Sequence, residues 1–174
     1  MMKFLLLIMK RQIDLPTKKT WTRILRWLFL VALSIYIGGF TFYSAVVIPI
    51  LHDRLESSLE TGLITQRVTD MLNLLGSATL SLGWCVYGLS TVYERRSDRG
   101  SRWKIWPLVM SSICLVVLLM LHRVLDHKLE TSTFAGFYPY HRAYLWTSTV
   151  QWIANLGLLT QSASAFTPSP RLRR

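Results

Sequence analysis

Apolar residues fall into four long runs separated by polar, mostly basic stretches. The first run, Trp27 to Leu51, holds no charged residue. It is long enough to cross a hydrocarbon core of about 30 Å, which takes about 20 helical residues. The second spans Met71 to Tyr93, the third Ile105 to about His122, and the fourth Ala143 to Ala163. Four such runs predict an all-α integral membrane four-helix bundle. Between the first two, Leu51, Leu55, Leu59 and Leu63 recur every fourth position among Asp53, Arg54, Glu56, Ser57 and Glu60. That stripe predicts an amphipathic interfacial helix in the first outer loop, lying on the bilayer or folded back over the bundle. Gly62 marks a place where it breaks in two.

Smaller features refine these elements. Pro49 kinks the first helix or ends it. Ser34 and Gly38 stand four apart on one face, a spacing that permits close helix approach. The second run has a face of Asn73, Gly76, Ser77, Thr79, Ser81, Gly83 and Gly88, read as a packing surface. The third run is the most uniformly apolar, and its Pro107 sits in the first turn, where proline is tolerated. Phe4 to Met9, between Lys3 and Lys10-Arg11, imitates a secretory leader but is too short and lacks a small-residue cleavage site. Two readings stay open there: translation from Met9 or nearby, or a segment on the membrane surface. Residues 14–21 read as irregular, and the tail from residue 164 to Arg174 as basic and disordered.

Composition agrees with a membrane protein. Hydrophobic residues make up 51% of the 174 and charged residues 17%, with mean hydropathy +0.32. That is apolar for a soluble domain and short for several domains. The formal net charge is +11, and its placement carries the information. The basic segment 1–26, the loop after the second run and the tail together hold fifteen of the 20 Lys and Arg. The other two loops hold five. Basic residues gather on the cytoplasmic side, so both termini are predicted to be cytoplasmic in the cell membrane. The positive charge then faces anionic lipids rather than nucleic acid.

Candidate chemistry concentrates at the opposite, outer side. His52, His122, His127 and His141 all fall there, with Asp53, Glu56, Asp126 and Glu130. Imidazole suits zinc, copper and haem iron, so His52, His122 and His141 are candidate ligands for a divalent metal or haem. His122 and Asp126 stand four apart and share a face if the third helix continues outward. The alternative is a set of interfacial histidines bonded to headgroups, water and carboxylates. A second constellation is the run His141, Tyr144, Ser148, Gln151 and Asn155, spaced 3, 4, 3 and 4 along one side of the last helix. Amides in hydrocarbon are costly unless paired, so this face points into the bundle. It is either inter-helix hydrogen bonding, with Asn73 and the Ser/Thr of the second run as partners, or the lining of a small-ligand or ion site.

No Asp, Glu, Lys or Arg lies deep in any run, as a proton-coupled transporter would require. No nucleophile–base pair, phosphate loop or zinc-protease signature appears, which argues against an enzyme. Cys85 and Cys114 both lie in apolar runs and read as small buried residues. The expectation is a non-enzymatic structural or accessory membrane protein, binding lipid, a protein partner or a second copy of itself. The alternative is a metal-, haem- or small-ligand-binding protein with a histidine site at the outer face. A transport component ranks third.

Gly38-Gly39-Phe40-Thr41-Phe42-Tyr43 running to Val47-Ile48-Pro49, the amphipathic Leu55 to Val68 with Asn73, and Tyr140-His141-Arg142 before a polar last helix with Asn155 form a recognisable combination. It resembles a family of small four-span membrane proteins of unknown function, found in bacteria with animal relatives. The resemblance covers about half the chain. It implies a four-helix bundle in which His141 and Asn155 are the matching positions, and it implies no reaction. Ser148, Gln151 and Pro139 depart from that pattern.

Overall fold

The computed structural model describes residues 2–55, 58–94, 105–130 and 137–164, with side chains over 20–55, 60–91, 105–129 and 137–164. The basic turn 95–104, the linker 131–136 and the tail beyond Ser164 lie outside the described residues. Every described element is helical: α1 Met2–Phe42, a π-helical segment Tyr43–Val47, α2 Ile48–Arg54, α3 Ser58–Glu94, α4 Trp106–Glu130 and α5 Phe137–Ser164. α1 packs on α3 and α5, and α4 packs on the same two, so the four long helices close a ring. Three stretches are long and apolar enough to cross a membrane: Thr20–Arg54, Glu60–Thr91 and Trp106–Leu129. α5 is not among them, because its polar face dilutes its hydropathy.

Several boundaries differ from those the sequence predicts. Residues 14–21 are helical, not irregular: extending an existing helix gains one hydrogen bond for each residue fixed, which polar composition does not prevent. The amphipathic stripe does not form a separate helix. α2 ends at Arg54, Leu55 is extended, and Ser58 onward runs without a break into the second apolar run. Gly62 does not interrupt α3. It lies against Leu129 of α4, which a Cβ at that position would meet at 3.4 Å. α4 continues to Glu130 and α5 starts at Phe137, so both extend past the apolar runs.

Pro49 acts on the turn before it. Its ring would collide with the carbonyl four residues earlier, and it has no N–H to offer. The preceding turn widens instead, with the Ile48 N–H bonded to the Tyr43 carbonyl, five residues back. The chain then passes through α2 and returns as α3.

The interior is layered along the helix axes. At the end near Arg26 and Ile105 it is mainly apolar, with the small hydroxyls of Ser90, Ser111 and Ser162 also buried. Phe29, Leu33 and Ile37 of α1 meet Leu80 and Val86 of α3, Leu108 and Leu115 of α4 and Leu158 of α5. Gly83 makes this possible, since it lies directly under Phe29 and Leu108. Toward the other end the buried residues turn polar: Asn73, Ser148, Gln151, Asn155 and His122. The outer surface is the reverse. Ile35, Leu74, Ile113, Met120 and Ile153 all face outward and are exposed. The Ser34–Gly38 pair makes no helix contact, because Ser34 is exposed and a Cβ on Gly38 would meet nothing within 4 Å.

Candidate metal centre

Three helices converge on one polar cluster. α3 supplies Asp70 and, one turn on, Asn73. α4 supplies His122 and Asp126, on one face because four residues are close to one helical turn. α5 supplies Tyr144. The extension of α4 past its apolar run is what brings Asp126 into place.

His122 is buried, and its Nε2 lies 2.8 Å from Asp70 Oδ1 and 3.5 Å from Asp126 Oδ2. The short contact is an imidazole N–H donating to a carboxylate that can only accept. One donor atom from each of the three residues lies within 4.8 Å of the others. Two donors held at bond lengths of about 2.0–2.2 Å on a tetrahedral ion sit about 3.4 Å apart. The His122–Asp126 separation already fits. The His122–Asp70 separation has to open by about half an ångström. Nitrogen plus two carboxylate oxygens suits zinc or manganese, and three protein donors leave a position for water or another ligand.

The surroundings hold this set in place. Tyr144 packs beside the His122 ring, with ring centres 6.3 Å apart, and Asn73 is buried on α3 with its side-chain N–H unpaired. Further out, the Lys128 ammonium lies 5.5 Å from the centre of the Tyr140 ring, tying the end of α4 to the start of α5. The Tyr144 contact bears on the His122 ring itself, and the Lys128–Tyr140 contact involves no member of the cluster.

The expected trio of His52, His122 and His141 is not what the structure assembles. His52 is exposed on α2. His141 stacks on Phe137 with ring centres 5.8 Å apart, and partial burial pushes its imidazole below its ordinary value. Of the carboxylates that the sequence places near the histidines, Asp53 is exposed and lies 3.7 Å from Arg54. Asp70 is the residue that sequence reading passes over. It stands just outside the second apolar run, and its signal is the three-residue spacing to Asn73, on the face that α3 turns inward.

The last-helix stripe behaves as its spacing predicts, with different partners. Ser148, Gln151 and Asn155 are buried, and Tyr144 and His141 are half-buried. Gln151 Oε1 accepts from the Tyr36 hydroxyl of α1 at 3.2 Å. Asn155 Oδ1 accepts from the Ser111 hydroxyl of α4 at 2.6 Å. Asn73, the partner expected from the second run, is buried, but its side-chain N–H is unpaired. Gly76 lets α3 come close to the Tyr36 ring: a Cβ there would stand 2.9 Å from its Cζ and hydroxyl.

No family model, curated protein or solved structure matches this chain.

Proposed function

We propose that the chain is a four-span integral membrane protein, with both termini cytoplasmic, that binds a divalent transition-metal ion at its outer face. The observation that carries the reading is the Asp70–His122–Asp126 cluster, a mixed nitrogen–oxygen donor set gathered from two helices. An apolar exterior around a polar interior supports the membrane setting, since lipid rather than water is the solvent such a surface fits. Exposed Trp21 and Trp106 at one end and Trp146 toward the other fit interfacial anchors. Two carboxylates beside one imidazole give the site the negative charge a divalent cation requires. Haem is less well served, because no second histidine joins His122 in the cluster. No reaction is assigned. The family resemblance noted in the sequence agrees with this architecture and adds no ligand.

Zinc titration of the detergent-purified full chain by calorimetry tests the site. Saturable uptake of one ion per chain is expected, weakened at least tenfold by Asp70→Asn and by Asp126→Asn. Uptake unchanged in both variants, or none in the parent, would sink the metal reading. The orientation is tested separately. A reporter joined after Ser101 should score as cytoplasmic, and one inserted within residues 131–136 as external. The reverse pattern would overturn the topology.

A second reading is a structural or accessory membrane protein whose interior polar pairs lock the helices together. The Tyr36–Gln151 and Ser111–Asn155 bonds favour it. It predicts a chain that folds stably and takes up no metal.

A further inference from the structure

Between α1 and α5 is a small cavity that the metal reading does not use. Tyr36, Ser148, Gln151 and Asn155 form its polar side, and Phe40 and Trp152 are among its apolar walls. It offers about 10 Å³ to the centre of a water-sized sphere, room for one oxygen atom of a neutral group. Gln151 is 2% exposed, and its Nε2 has no hydrogen-bond partner. Leaving such a donor unmatched in a low-dielectric interior costs about 1–3 kcal/mol.

The neighbouring bonds fix which group is left over. The Tyr36 hydroxyl donates to Gln151 Oε1, and the Ser111 hydroxyl donates to Asn155 Oδ1. Both amides are held by their oxygens, and the buried Gln151 NH₂ is left to give. Ser148 spends its own proton on the Leu145 carbonyl at 2.9 Å and retains only acceptor capacity. The Trp152 indole N–H donates to the Thr41 hydroxyl at 3.0 Å, joining α5 to α1 beside the cavity. What remains is one unmatched N–H donor, the Gln151 amide, with no charged side chain in the lining.

We propose that this cavity binds one neutral hydrogen-bond-accepting oxygen, held by the Gln151 NH₂. Two sources carry that chemistry: a water molecule, or the carbonyl of a membrane-dissolved compound that reaches in between α1 and α5. An anion would find no countercharge in this lining, and a metal ion would find no carboxylate, imidazole or thiolate there.

The side-chain amide resonances of Gln151 report on the site directly. The full chain, labelled with ¹⁵N-glutamine in detergent micelles, gives them, and their loss in Gln151→Met assigns them. Cross-relaxation between these protons and water, without response to added 2-undecanone, places water in the site. A saturable shift on adding 2-undecanone places a carbonyl there. Either outcome supports the proposal. Ser148→Leu, which fills the space next to the amide, should abolish whichever signal is seen while leaving helix content unchanged. Amide protons that show neither water contact nor a ketone-dependent shift would overturn it. So would either signal persisting in Ser148→Leu.

Discussion

His122→Ala should abolish zinc binding and lower the stability of the detergent-solubilised chain by about 2–3 kcal/mol. Two effects combine. The substitution removes the nitrogen donor of the cluster, and it takes from Asp70 and Asp126 the imidazole that both contact. Asp126 is the more enclosed of the two, with 18% of its side chain exposed against 43% for Asp70. Water reaches Asp70 more easily, and that keeps the cost below the value for a fully buried pair. His122→Gln separates the two effects. Its amide can still donate to Asp70, so much of the stability should return, while zinc uptake stays lost. If His122→Gln binds zinc like the parent, the imidazole is not a ligand. His52→Ala and His141→Ala should both leave zinc affinity unchanged, since neither residue belongs to the cluster. Calorimetry and thermal melts with and without zinc read all four variants.

Gly83→Ala should destabilise the fold by about 1–3 kcal/mol, as overpacking of a filled core does. A Cβ at this position would lie 2.8 Å from Phe29 Cε2 and 3.1 Å from Leu108 Cδ1. Both neighbours are among the most completely buried residues, so neither can swing away. α3 would have to move off α1 and α4 together. Gly88→Ala on the same helix is the matched control. Nothing lies within 4 Å of a Cβ there, and alanine favours the helix over glycine by about 1 kcal/mol. It should be neutral or stabilising. Denaturant titration of both variants measures the difference. Equal midpoints would mean that α3 is not wedged between its neighbours as described.

These two cases show how unevenly the site could be read in advance. The spacing of His122 and Asp126 puts them on one face, and the stripe from Tyr144 to Asn155 is inward for the same reason. In each case the residues belong to one helix, so its period relates them. Asp70 lies 52 residues from His122 along the chain, and Tyr36 lies 115 from Gln151. No local period connects such pairs. Grouping the histidines by loop placed them on one side but could not bring them within bonding distance, since a loop position leaves tens of ångströms of freedom.

The glycines make the same point about packing. Gly38, Gly76, Gly83 and Gly88 all sit in apolar runs and look alike as sequence. Gly76 and Gly83 are indispensable to close approach, while Gly38 and Gly88 face open space.

The sequence by itself determined the helical class, the apolar exterior and the inward face of the last helix. Each is a property of one segment and its solvent. The tertiary structure alone decided that Asp70 joins His122 and Asp126, that Tyr36 and Ser111 hold the two buried amides, and that the amphipathic stripe is divided at Leu55, its latter part running into α3. Those depend on the relative rotation and depth of separate helices. That register comes from side-chain shape across interfaces such as Gly83 under Phe29, which periodicity within a single helix does not encode.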